Sequence, residues 1–339
     1  MKSSIFNVVG DFFALDIGST AIRVVQLKGG NHSLVKYGSI PIDVKVALSD
    51  APIDHKKVRD SIAQLVKSTG ISTRNKTFVT IVDLPKMTMQ ELQSTIKYQA
   101  DQYIPMNAED AKIDSVVLGD SPIDPAKMEV LIASVTNKFS EQRMDMLESI
   151  GFDVIGLEPD ALGLARSLSS SSNGQAQLII DMGEYATDIL ITLAGSPRLV
   201  RSIPTGRQSL LRAAQQNLNI DEDQARQFVF KFGLDKTKLE GQIFRALSST
   251  VEVVAAEIQK SVKFFATRYQ NTPLTGIVTS GGASSLPGFA QFLSMSAGNV
   301  PVQPGNCWQN ISYSNTLHEE LMNVNYEFAV AAGLAQRKA

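Results

Sequence analysis

The sequence predicts an α/β fold, duplicated into two lobes and interrupted by an inserted α+β subdomain. Three observations carry this. In residues 14–27 an apolar run ends at Asp16, turns through Gly18, Ser19 and Thr20, and resumes with alternating apolar positions. That is the pattern of a β-hairpin with a tight polar turn. Residues 178–191 repeat it, with Asp181-Met182-Gly183, a polar turn leading to Thr187, and a second apolar run. In residues 277–289 a buried strand gives way to Gly281-Gly282-Ala283 and then to a helix start beside Pro287.

The elements follow in order. Residues 34–42 add a third strand to the first hairpin, giving a meander. Residues 56–67 have helical spacing at Val58, Ile62, Leu65 and Val66, and residues 77–82 read as a buried strand of the same lobe. Past Pro85 the chain leaves this core, and residues 84–157 form the insertion. It holds a helix over 90–103 stopped at Ile104-Pro105 and strands over 111–118 and 129–135. A helix over 139–150 closed by Gly151 and a strand over 152–157 complete it. Residues 158–168 begin a helix leading back, so the first lobe is residues 1–83 completed by 158–177. The Ser-rich run 169–174 reads as a hinge or crossing. Residues 178–206 make the core of the second lobe, with a third meander strand over 198–204.

Residues 207–276 are helical. They hold a helix over 209–218, one capped by Asp221 with Gln224 at capping-box spacing, and a long amphipathic helix over 250–266. Residues 277–339 return to the second lobe, with a helix over 289–297, a short strand at 300–302 and a small-residue helix over 326–335. Cys307 and Trp308 fall in a turn, where core packing is the expected role.

Composition excludes several classes. A length of 339 residues allows two domains or one large bilobed one. With 43% hydrophobic and 19% charged residues the chain reads as soluble and globular. A net charge of -2 gives no electrostatic case for nucleic acid. The single cysteine excludes an intrachain disulfide and a zinc cluster. His32, His55 and His318 lack metal-ligand spacing. No stretch reaches the ~18–20 apolar residues that span a membrane. The apolar residues among 1–13 form a poor signal peptide; they read either as a short amphipathic segment lying on a membrane or, lacking a basic face beyond Lys2, as a segment packed on the protein or partly ordered.

Each Asp-x-Gly turn sets a carboxylate beside several backbone N–H groups. Such N–H groups make an anion nest, and the carboxylate suits Mg²⁺ held through water. Together they suit a metal-bound polyphosphate, although each alone is also an ordinary glycine turn. The two turns would face each other across a cleft. The glycines at 281 and 282 would let a flat nucleoside approach the backbone.

The three motifs, in this order, resemble the two phosphate motifs and the adenosine motif of the actin-like (ribonuclease H-like) ATPase superfamily. Nearly the full length is similar to the PilM family of type IV pilus assembly, relatives of FtsA. The resemblance implies a site for ATP and Mg²⁺. Asp16 and Asp181 would face the metal and phosphates. Gly18, Ser19, Thr20, Gly183 and Thr187 would hold the phosphates, and Gly281, Gly282 and Ala283 would line the adenosine. Glu257 and Lys260 match positions where the family contacts the nucleoside, though they also read as a solvated helix face. Glu158 is a candidate general base by position, or simply a helix-initiating acid beside Pro159.

The resemblance further implies a cytoplasmic protein at the inner face of the membrane, in the assembly platform of a type IV pilus or a related type II secretion system. Its expected partner is the cytoplasmic tail of a PilN-like membrane protein, held in a groove between the insertion and the first lobe; self-association is a further expectation. One feature departs from the superfamily: Glu184-Tyr185 stands where small residues are common and would oppose a γ-phosphate, so the chain is expected to be at most a weak ATPase. Two alternatives stay open. An FtsA-like filament-forming tether is disfavoured by the short tail Gln336-Arg337-Lys338-Ala339, which leaves no amphipathic membrane helix. A sugar or acetate kinase on the same fold lacks an obvious sugar-binding acid cluster.

Overall fold

Alternation of apolar side chains along the strands decides how the layers stack. The structure, a computed structural model, describes residues 13–28, 32–47, 49, 51–69, 78–99, 102–104, 106–154, 156–170 and 174–337. The expected apolar segment at 1–13 falls outside these except for Phe13, as do residues 171–173 of the Ser-rich run.

The first meander is β1 (Phe13–Ile17), β2 (Ala21–Lys28) and β3 (Ser33–Pro41), an antiparallel three-stranded sheet. It leads to α1 (Val44–Ala47) and α2 (Pro52–Thr69). Then come β4 (Phe78–Pro85), α3 (Met89–Gln99), β5 (Ala111–Asp120), β6 (Lys127–Thr136) and α4 (Asn137–Glu148). The next segment is α5 (Asp160–Leu168), followed by the second meander β7 (Ala176–Met182), β8 (Thr187–Leu193) and β9 (Ser196–Ile203). The helices α6 (Arg207–Leu218), α7 (Glu222–Phe232) and α8 (Gln242–Arg268) follow. The chain ends with β10 (Leu274–Ser280), α9 (Phe289–Ser296), β11 (Val302–Pro304), α10 (His318–Val324) and α11 (Ala329–Ala335).

The second meander is widened by β10 and β11, both running parallel, into a five-stranded sheet of order β11-β10-β7-β8-β9. Its outward positions, among them Leu178, Ile180, Met182, Ile189 and Ile191, pack under α6 to α9. In the first sheet Leu15, Ile17, Ile22 and Val24 pack against Val58 and Ile62 of α2 and Leu147 of α4. The opposite faces of both sheets meet one helix pair. Ala14, Val25, Ile179, Leu190 and Val278 share a core with Leu164 and Ala165 of α5 and Ala331 and Ala332 of α11. Asp16 and Arg23 are in phase with Ala14 and Val25, and Asp181 and Asp188 with Ile179 and Leu190. The period of two therefore aims all four polar side chains inward, toward the gap between the sheets.

That helix pair is close because it must be. A Cβ at Gly333 of α11 would overlap the carbonyl of Gly163 in α5. Arg166 donates to the Gly333 carbonyl at 2.6 Å, tying the same crossing. Trp308 and Cys307 are buried in this core, and the indole N–H donates to the Leu321 carbonyl at 2.9 Å. The capping box at Asp221 is present, with Gln224 N–H donating to the Asp221 carboxylate at 2.8 Å.

Two expectations change. The strand expected at 77–82 in the first lobe's sheet is β4, and it pairs antiparallel with β6 in a separate sheet of order β4-β6-β5. Its Leu84 packs with Leu92, Ile96, Val130 and Ile132 under α3, so burial draws β4 to that layer. Of the strand expected at 152–157, the described residues 152–154 and 156–157 are irregular. Phe152 and Val154 are apolar because they lean on the core beneath α2 and α4, not because they enter a ladder.

The small sheet is fastened to the second lobe by charge. Arg268, at the end of α8, holds Asp83 of β4 through two bonds of 2.6 Å and Glu129 of β6 at 2.9 Å. Arg198 of β9 meets Glu129 at 2.9 Å, and the Tyr269 hydroxyl donates to the same carboxylate. Glu129 is 2% exposed, and Arg268, Arg198 and Tyr269 surround its carboxylate, as a buried acid requires.

Candidate functional site

The two Asp-x-Gly hairpins are the same object built twice. In the first, Asp16 pairs across the ladder with Arg23, and the Gly18 N–H donates to the Ala21 carbonyl at 3.0 Å. In the second, Asp181 pairs with Asp188, and the Gly183 N–H donates to the Ala186 carbonyl at 2.9 Å. Each turn is thus closed by one backbone bond, leaving the intervening residues at its tip.

Between these turns lies a cavity of about 480 Å³. The first hairpin lines it with Asp16, Gly18, Ser19, Thr20 and Arg23, and the second with Asp181, Gly183, Glu184, Tyr185 and Asp188. Gly281 and Gly282 form a third wall, and Asp160, Arg207, Tyr326 and Glu327 complete the polar lining. Gly281 has φ +80°, and a Cβ there would strike the Met182 backbone, so the chain can turn here only as glycine. The Gly281 N–H donates to the Tyr326 carbonyl at 3.3 Å, which fixes the turn against the chain leading to α11.

The residue opposite each aspartate sets its character. Arg23 stands 3.5 Å from Asp16 and reaches Glu327 at 3.4 Å. Asp181 instead faces Asp188. Burial and then the Asp188 charge push the Asp181 carboxyl up to about 7, with smaller contributions from Asp16 and Asp160. A hydrogen bond with Ser280 opposes this without cancelling it.

The lining holds six carboxylates and two guanidinium groups. Such an excess of acid repels a free polyphosphate and calls for a cation. Among the described residues no group of three or more His, Cys, Asp or Glu side chains is gathered closely enough to ligate a metal directly. The arrangement fits a cation that keeps its water, as Mg²⁺ does. Asp16 and Asp181 would hold it through that water, and it would neutralise phosphate charge beside them.

Of the residues that the sequence pointed to, Asp16, Asp181, Gly18, Ser19, Thr20, Gly183, Gly281 and Gly282 come together here. Five others do not. Glu158 turns away: both its oxygens accept from Arg166, at 2.6 and 3.0 Å. Thr187 is fully buried and its hydroxyl donates to the Thr205 carbonyl at 2.6 Å. Ala283 is buried, its N–H donating to the Met182 carbonyl at 3.3 Å. Glu257 pairs with Arg201 at 3.1 Å and with Lys260 at 2.5 Å, on the flank of α8 outside the cavity. Arg23, Asp160, Asp188, Arg207, Tyr326 and Glu327 were missed as lining residues. The period of two would have found Arg23 and Asp188, one strand across from each aspartate. Nothing local marks Arg207 or Glu327.

A family model described as type IV pilus assembly protein PilM matches residues 14–339. A chain of the PilM–PilN type IV pilus biogenesis complex superposes with a TM-score of 0.77, at 21% identity, over 96% of this chain and 98% of that one. The ethanolamine utilization protein EutJ from Carboxydothermus hydrogenoformans gives a TM-score of 0.54 at 14% identity, over 97% of this chain and 90% of its own. A Bacteroides thetaiotaomicron protein with an actin-like ATPase fold gives 0.50 at 8% identity, over 96% of both chains. These likenesses are of fold, and they place the two-lobed architecture among actin-like ATPase folds.

Proposed function

The chain belongs to the PilM family of type IV pilus assembly proteins, and from that premise we propose that it is a nucleotide-held docking module of the pilus machinery. Mg²⁺ and ATP occupy the cavity between the hairpins. The closed lobes then present a groove, between the first lobe and the layer of β4, β5 and β6, to the cytoplasmic tail of a PilN-like membrane protein. That partner brings the chain to the inner face of the membrane. Among the described residues no helix is long and apolar enough to cross a membrane, so a protein partner is the more economical tether. In this reading the inserted unit begins at β4, a few residues before 84, and ends near 157.

The observation that carries the proposal is the convergence of both Asp-x-Gly turns and the Gly281-Gly282 wall on one acidic cavity. Phosphoryl chemistry asks mainly for positioning and charge neutralisation. Asp16 and Asp181 supply the second through the cation. The backbone N–H groups and hydroxyls of Ser19 and Thr20 supply the first. Glu158, the candidate general base, is held by Arg166 at the helix crossing, which leaves the reading of a helix-initiating acid. Nucleotide therefore acts chiefly as a ligand that favours the closed form by mass action.

The test is fluorescence anisotropy with a labelled peptide copied from the cytoplasmic N-terminal tail of a PilN-like protein. Saturable binding is expected, and tighter with Mg·ATP present than without it. Failure of the peptide to bind under either condition would contradict the docking role.

A further inference from the structure

Glu184 departs from the small residues expected at the second turn, and its charge should oppose any phosphate. The structure shows what that carboxylate does instead. It forms an ion pair with Arg207, the first residue of α6, and accepts from the Gln208 side chain at 2.9 Å. The backbone completes the clamp. The Arg207 N–H donates to the Gly183 carbonyl at 3.0 Å and the Gln208 N–H to the Glu184 carbonyl at 2.9 Å. Gly206 lets the chain lie against this turn, where a Cβ would meet the backbone of Glu184 and Ala186.

Arg207 has donors left over. One end of its guanidinium pairs with Glu184, and another lies against Gly282, 2.9 Å from where a Cβ would stand. Its Nε is buried and has no hydrogen-bond partner. Below, the group rests on the Phe230 ring at 5.5 Å from the centroid, which fixes its plane. A planar fork with unused N–H groups is suited to a phosphate ester. It stands where the wall of the second turn meets the wall of the glycine pair. A nucleotide laid along both walls would have to pass this point.

We propose that Arg207 is a phosphate-binding residue of the cavity, and that Glu184 is the anion that occupies it until a nucleoside polyphosphate takes its place. This rests on the nucleotide reading of the site and specifies one part of it. Glu184 is then a placeholder competing with the ligand. It keeps a partly exposed guanidinium paired while no ligand is bound and costs affinity for every phosphorylated ligand. Ligands without a phosphate gain nothing from Arg207, so the pair also discriminates nucleotide from nucleoside.

The test compares Mg·ADP and adenosine by calorimetry on the full chain and on three variants. Glu184→Gln is expected to bind Mg·ADP severalfold more tightly than the wild type, because Arg207 is freed. Arg207→Gln is expected to lose at least about tenfold in Mg·ADP affinity, the weight of one charge-assisted contact. Arg207→Lys, which keeps charge without the fork, should fall between. Adenosine affinity should be the same in all four proteins. The inference is overturned if Arg207→Gln keeps wild-type Mg·ADP affinity, or if Glu184→Gln weakens binding, since the pair would then serve only to brace the turn. If Arg207→Gln does not fold, Glu184→Gln decides alone, and no gain in affinity sinks the idea. Absence of Mg·ADP binding by the wild type would instead sink the nucleotide reading, and this inference with it.

Discussion

Asp16 and Asp181 occupy equivalent places in two copies of one hairpin, yet they differ in charge environment. Asp16 faces an arginine and Asp181 faces an aspartate. The Asp181 carboxyl is raised from 3.8 to about 7, so the folded protein favours its protonated form. The stability linked to this is present at low pH and is lost as pH rises toward and through about 7. The ligand-free chain is therefore expected to melt at a lower temperature near pH 8 than near pH 5, and Asp181→Asn is expected to reduce that difference. Scanning calorimetry of both proteins across the range checks this; parallel profiles would remove the assigned role of Asp181. The aspartates were legible in the sequence because hairpin periodicity and a glycine turn are local signals. Arg207 and Glu327 were not, because they reach the cavity only after α6 and the approach to α11 have folded onto the turns. Glu158 was misleading for a similar reason. Its partner Arg166 lies eight residues on, two turns into the chain that becomes α5, and captures both oxygens.

At the scale of elements, the site depends on how closely α5 and α11 cross. Ala329 and Val330, the first residues of α11, line the cavity, and Gly333 sits one turn further at the contact with Gly163. Gly333→Ala would force the helices apart or bend one of them. Such overpacking costs about 1–3 kcal/mol. A lowered midpoint in urea is expected together with weaker nucleotide binding, since the lining moves with the helix. Normal nucleotide affinity in a destabilised Gly333→Ala would separate the crossing from the site. The small-residue run at 329–335 announced a helix able to pack closely. Which helix it meets depends on the layer order, which no local pattern states. The same limit explains β4. Its apolar run predicted a strand correctly, but its ladder partner β6 lies over forty residues away and was chosen by the core around Leu84.

For the whole molecule, duplication is the organising fact. Two meanders turn their aspartate-bearing faces to a common helix pair, and the turns end at one cavity. The repeat was readable because both copies keep the same register. The fastening of the small sheet by Arg268 and Arg198 to Glu129 was not, since isolated charges in three distant segments carry no periodic signal. That fastening ties the second lobe, whose turn lines the cavity, to the layer where docking is proposed. Docking, closure and the role of Arg207 all depend on the cavity being a Mg·nucleotide site. Isothermal titration of Mg·ATP into the full chain tests this directly. A single saturable site is expected in the wild type, and no measurable heat of binding in a folded Asp16→Ala/Asp181→Ala variant. A flat titration of the wild type, or an unchanged isotherm in the double variant, would contradict it.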